Sequence, residues 1–128
     1  MNAYTSQVLE DGARNYIVKL TAVLDTTDQP ITTVIKPSDC ASYVPTKFRI
    51  DHIDFTISDP LELSLWWEGT PDAIIIPMAG RNKFNYNDVG GLQNNANSPT
   101  GGIRIKTTGY TAGTQVYAVL IWLVKQGI

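Results

Sequence analysis

The sequence predicts an all-β fold, a two-sheet antiparallel β-sandwich, and three observations lead there. Apolar residues at helical spacing are almost absent, β-branched and aromatic residues recur in short runs, and Gly, Pro, Asn and Asp punctuate those runs. Eight or so such runs suit a sandwich, with the jelly roll the expected topology for that count. The 128 residues, 43% of them hydrophobic, make one domain spanning 1–128, a size that buries roughly two-thirds of its unfolded surface.

Residues 1–10 read as an extended arm able to order on contact with another protein. The first long strand runs from Arg14 to Asp25, with Tyr16, Val18, Leu20, Ala22 and Leu24 on one face and Asn15, Ile17, Lys19, Thr21 and Val23 on the other. Ile31 to Lys36 follows, and Pro37 ends it by removing a ladder donor. Between Phe48 and Ser58 the apolar parity changes, from Phe48 and Ile50 to Ile53, Phe55 and Ile57. A bulge near Asp51 and His52 accounts for the change, and such a strand is expected to pass from one sheet to the other.

After Ser-Asp-Pro, Leu61, Leu63, Leu65 and Trp67 alternate with Glu62, Ser64, Trp66 and Glu68. Ala73 to Met78 and Arg81 to Tyr86 are shorter strands, and Ile103 to Thr108 is another. Residues 87–102, rich in Gly and Asn, lack periodicity and read as the longest and most exposed loop. The last strand, Thr114 to Lys125, is apolar on both faces: Val116, Ala118, Leu120, Trp122 and Val124 on one, Tyr117, Val119, Ile121 and Leu123 on the other. A two-layer sandwich buries only one face of each sheet, so the second face needs a cover from outside the chain. Tyr117, Val119, Ile121 and Leu123 are assigned here as that outer face and as a subunit interface.

Charge and chemistry narrow the function. Ten Lys and Arg against twelve Asp and Glu give a net charge of -2, which leaves no positive field for a phosphate backbone, so nucleic acid is not an expected partner. Charged residues are only 17% of the chain, below the ~25% usual for globular domains and in keeping with surfaces that contact other proteins. Cys40, the single cysteine, permits neither an internal disulfide nor a thiolate metal cluster. The start of the sequence lacks a secretory pattern, and Val116 to Val124 is too short to span a bilayer as a helix, so synthesis in a cytoplasm and no membrane partner are expected.

No enzyme is indicated. His52 is the only histidine and no nucleophile motif accompanies it, so it reads as a hydrogen-bonded strand residue. Glu62 and Glu68 lie about 20 Å apart along a strand rising ~3.3 Å per residue, too far for glycoside hydrolysis. Arg81-Asn-Lys-Phe-Asn-Tyr interleaves cations with rings, but two charges suit an edge strand better than a nucleic-acid groove. No phosphate loop, calcium loop or metal-binding motif is present, and no cofactor is expected.

The segments Phe48-Arg-Ile-Asp-His-Ile-Asp, Pro77-Met-Ala-Gly-Arg, Asp88-Val-Gly-Gly-Leu and Gly113-Thr-Gln-Val-Tyr resemble those of small virion structural proteins of tailed bacteriophages, over most of the chain. The resemblance implies a jelly-roll head decoration, or cement, protein, seated as a homotrimer over the joints between major capsid subunits. It also implies a location in the virion after synthesis in the host bacterial cytoplasm. Partner contacts are expected at Trp66, Asn94, Asn95, Asn97 and Tyr4. The alternative is a carbohydrate-binding, lectin-like module on a virion or cell surface, with Trp66 and Tyr86 as platforms.

Overall fold

The computed structural model describes residues 3–41, 44–58, 61–96, 100–111 and 113–126. Among the described residues, nine strands fall into two antiparallel sheets, a β-sandwich. The strands are β1 (Ala3–Asp11), β2 (Asn15–Leu24), β3 (Thr32–Ile35), β4 (Lys47–Ile57), β5 (Glu62–Trp67), β6 (Ala73–Met78), β7 (Arg81–Asn85), β8 (Ile103–Thr108) and β9 (Gln115–Gln126). The five-stranded sheet has the order β1-β2-β9-β4-β7 and the four-stranded sheet the order β3-β8-β5-β6. From β2 onward the pairing is nested, since β2 pairs with β9, β3 with β8, β4 with β7 and β5 with β6. The chain is thus one long double ribbon wrapped so that alternate segments fall in opposite layers.

The alternation along β2 settles its own orientation. Tyr16, Val18, Leu20, Ala22 and Leu24 are all buried, while Asn15, Lys19 and Val23 are exposed. In β5, Leu63, Leu65 and Trp67 join the core and Glu62 faces solvent. The core closes with Phe48, Ile50, Ile53, Phe55 and Ile57 from β4 and with Ile103 and Ile105 from β8.

The last strand corrects the reading given above. Tyr117, Val119, Ile121 and Leu123 are at most 2% exposed and lie inside the sandwich, so they form no subunit interface. Their cross-strand partners are the reason: Val119 sits opposite Leu20 and Phe55, and Ile121 opposite Val18 and Ile53, all core residues. Directly opposed residues share a face, so the other set of β9 points outward. That set ends in Val124, which is itself buried.

Two further expectations change. In β4 a register shift between Ile50 and His52 leaves Asp51 as the extra residue, where the bulge was expected. Its effect is to return both halves of the strand to the same buried face, and β4 stays paired with β9 on either side of it. It does not cross to the second sheet. Residues 3–10 are no free arm either, because β1 pairs with β2 from Ala3 to Asp11.

Buried polar groups tie the ends of the sandwich. The Tyr117 hydroxyl donates to Gln29 Oε1, and Gln29 exchanges bonds with Thr107 through its backbone N–H (2.6 Å to Oγ1) and its carbonyl (3.1 Å from the Thr107 N–H). Burial pushes the Tyr117 phenol well above its ordinary pKa, so it stays a neutral donor. At the opposite end of β9, the Lys125 side chain is fully enclosed and its Nζ donates to Asp11 Oδ1 (2.7 Å) and to the Gly12 carbonyl (2.6 Å). Asp11 also accepts from the Ala41 N–H at 2.7 Å. One ion pair therefore joins the β1–β2 turn, the end of β9 and the segment beyond the short 3-10 turn Pro37–Asp39.

Breaking such a pair strands its other half, at a cost of about 3 kcal/mol. Lys125→Ala should lower the urea midpoint accordingly. Adding Asp11→Ala should cost less than the sum of the two single changes, which a double-mutant cycle of unfolding free energies reads directly.

Candidate functional site

The outer face of the five-stranded sheet carries the apolar side chains that the core leaves over. Register arranges them in rows across the strands. Ala3, Val23 and Val116 form the first row, and Thr5, Thr21, Ala118, Thr56 and Arg81 the second. Gln7, Lys19, Leu120, Asp54 and Lys83 form the third, and Glu10, Ile17, Trp122, His52 and Asn85 the fourth. An apolar stripe thus runs down β9 through Val116, Ala118, Leu120 and Trp122, flanked by Val23 and Ile17. Val116 is 44% and Val23 42% exposed.

Charge brackets the stripe. Lys19 and Asp54 flank Leu120, and Arg81 and Lys83 stand beyond on the edge strand. The surface is contoured: one depression of about 450 Å3 lies between Lys19, Asp54, Lys83 and Leu120. A second of about 470 Å3 surrounds Trp122, with Asn15, Asp51, His52, Asn85 and Asn87 on its walls. A third of about 310 Å3 lies beside Val116 and Ala118. An apolar centre with a charged rim is the composition of a protein contact surface.

His52 belongs to this face. Its Nε2 lies 2.9 Å from Asp54 Oδ1, and its ring meets Trp122 edge to face, with centroids 4.5 Å apart at 89°. Asp51, displaced by the bulge, pairs instead with Arg49 at 2.9 Å. The cross-strand neighbours of His52 are Trp122 and Asn85, neither of which is a nucleophile. The arrangement orients the imidazole and braces the indole. Cys40 is buried away from this face, and burial pushes its thiol up to about 11.

The other expected contact residues do not converge. Tyr4 lies on β1 and is 38% exposed. Trp66 lies on the outer face of the four-stranded sheet, half-buried, between Arg104 and Ile74, with its indole N–H donated to Ser64 Oγ at 2.9 Å. Tyr86 stacks on Phe84 against the edge of the core, so it builds no common platform with Trp66. Asn94 turns inward to accept the Ala96 N–H at 3.0 Å, Asn95 is exposed, and Asn97 lies outside the described residues. The loop is pinned midway by two backbone bonds between Leu92 and Ile50, of 2.7 and 3.1 Å.

Beside Trp66, Arg104 closes the outer face of the second sheet with a polar network. Its guanidinium donates to Glu68 (2.8 Å), Asp72 (3.1 Å) and Thr33 (3.0 Å), and Glu68 also accepts from the Thr100 hydroxyl at 2.7 Å. With every guanidinium nitrogen engaged, Arg104 is a structural clamp. The Thr100 hydroxyl and then Arg104 hold the Glu68 carboxyl below its ordinary pKa of 4.5.

Val116, Ala118, Leu120 and Trp122, expected on the inner face, are assigned outward by pairing: Leu120 and Ala118 lie across from Lys19 and Thr21, polar residues of a strand whose orientation is unambiguous. Comparison with protein-family models, with curated proteins and with solved structures finds no match.

Two outcomes follow for stability. Ile121→Ala should cost about 2–5 kcal/mol, as for other buried aliphatic truncations, whereas Val116→Ala should stay within about 0.5 kcal/mol, both by denaturant unfolding. Glu68 has a depressed folded-state pKa, so its contribution is complete above pH 4.5 and is lost as pH falls through the folded value. The melting-temperature gap between the wild type and Glu68→Gln should therefore be open at pH 6 and close progressively under acid.

Proposed function

We propose that the chain is a non-enzymatic virion structural protein, a capsid decoration or cement protein of a tailed bacteriophage. In this reading it docks on major capsid subunits through the outer face of its five-stranded sheet. The observation that carries the docking half is the outward stripe on a central strand, with Val116 and Ala118 exposed and Leu120 and Trp122 half-buried, rimmed by Lys19, Asp54, Arg81 and Lys83. A central strand that turns hydrocarbon to water gains nothing for the isolated fold and gains burial on a partner. The virion half rests on the resemblance of the four segments quoted above. The nested pairing of β2 to β9 supports a jelly roll, the connectivity that the resemblance implies.

A homotrimer, also implied by the resemblance, would have to use this outer face or a sheet edge, because Tyr117, Val119, Ile121 and Leu123 are committed to the core. The carbohydrate-binding alternative draws support from the depression around Trp122, where an indole lies among Asn15, Asn85, Asn87 and Asp51. Trp66 and Tyr86 no longer carry it.

The test is incorporation. When the gene is expressed with its neighbouring genes, the chain should co-sediment at fixed stoichiometry with assembled particles. A Val116→Asp, Leu120→Asp variant of unchanged melting temperature should fall at least about tenfold in the particle fraction, the effect of burying unpaired charge in an interface. Equal incorporation of the variant, or absence of the wild type from particles, would overturn the reading. Glycan-array binding abolished by Trp122→Ala would favour the alternative.

A further inference from the structure

We infer that the free edge of β1 is a dimerisation edge, which pairs antiparallel with β1 of a second copy of this chain about a two-fold axis through Ser6. The inference is independent of the capsid reading and uses a different surface.

Each sheet has two edges, and three of the four carry devices against further pairing. The edge strand β7 is five residues long and bears Arg81 and Lys83, β3 has only four residues, and β6 contains Pro77. The fourth edge, β1, is nine residues long, its stretch from Ala3 to Leu9 holds neither a charge nor a proline, and its bulge at Leu9 leaves Ala3 to Val8 in regular register with β2. Every residue from Ala3 to Glu10 is exposed. A long uncharged edge with open backbone donors and acceptors is a template for strand addition.

The sequence of β1 suits its own copy. A two-fold axis through Ser6 sets Tyr4 opposite Val8 of the second copy and Thr5 opposite Gln7, with the two Ser6 hydroxyls facing each other. Aromatic against β-branched and hydroxyl against hydroxyl are favourable cross-strand pairs. Tyr4 and Val8 sit opposite Ala22 and Val18 in β2, both core residues, so they point to the core side. They nevertheless remain 38% and 46% exposed, because the smaller sheet does not cover the fifth strand. Pairing joins the two uncovered strips into one apolar cluster of Tyr4 and Val8 from each copy. No charge on Ala3–Leu9 calls for a partner of opposite sign, and Glu10 and Asp11 lie outside the central pairs.

The geometry also sets the stoichiometry. Isologous pairing consumes β1 on both copies, and the resulting ten-stranded sheet ends in β7 on either side, where Arg81 and Lys83 disfavour growth. The product is a closed dimer and not a fibre.

Sedimentation equilibrium of the full chain tests this. The mass should rise from 14.1 kDa towards twice that value as concentration is raised into the range of weak contacts, the class of interfaces below about 1,200 Å2. Ser6→Lys and Ser6→Glu should each remain at the single-chain mass, since each sets like charges opposite one another on the axis. An equimolar mixture of the two variants should restore the doubled mass, a result that loss of folding cannot mimic. A wild-type mass that stays single or becomes threefold, a variant that dimerises like the wild type, or a mixture that fails to recover would each overturn the proposal. Loss of the dimer in Val116→Asp but not in Ser6→Lys would overturn it too, by moving association to the sheet face. Particle incorporation is read separately, so the two proposals can fail independently.

Discussion

The molecule depends on β9 lying between β2 and β4, its register with β2 unbroken. From Gln115 to Val124 it pairs with β2, and from Tyr117 to Gln126 with β4 across the Asp51 bulge. Both neighbours are half-polar strands with a decided inside and outside. Their alternation forces Tyr117, Val119, Ile121 and Leu123 inward, and a one-residue slip would turn Val116 to Trp122 into the core and expel the others. The polar anchors at its two ends, Tyr117 on Gln29 and Lys125 on Asp11, hold that register. A slip would leave a buried ammonium or a buried amide without its partner.

This explains what could and could not be read from sequence. The strands from β2 onward were legible, although β1 was read as an arm, and so was the orientation of β2 and β5, because the apolar residues of each fall mainly on one parity. The bulge in β4 was legible from the broken parity between Ile50 and Ile53. Its consequence was not, since a bulge can redirect a strand or restore its face, and only its pairing with β9 shows the second. The orientation of β9 was hidden because both parities are apolar, and the parity that is truly buried begins with Gln115 and ends with Lys125. Those residues look like solvent-facing ends. Local partners accept their N–H groups, Thr111 from the Gln115 amide nitrogen and Asp11 with Gly12 from the Lys125 ammonium.

The candidate surface was therefore legible as a surplus but not as a place. More hydrocarbon is present on β9 than a two-layer fold can enclose, and that inference survives the exchange of faces. The rows flanking the stripe could only come from cross-strand register, which joins residues as distant as Lys19 and Leu120 or Asp54 and Lys83. Of the loop asparagines prominent in composition, Asn94 serves a local turn by accepting the Ala96 N–H.

The nested pairing has a consequence for biosynthesis. The strand that fills the middle of the larger sheet is the ninth to leave the ribosome, so β2 and β4 must wait side by side without the neighbour that separates them. Through most of translation their inward residues have no layer to complete, and contacts so remote along the chain form slowly. Nascent polypeptides cut short before Gln115 would emerge with an open slot in the sheet, a natural client for holdase chaperones.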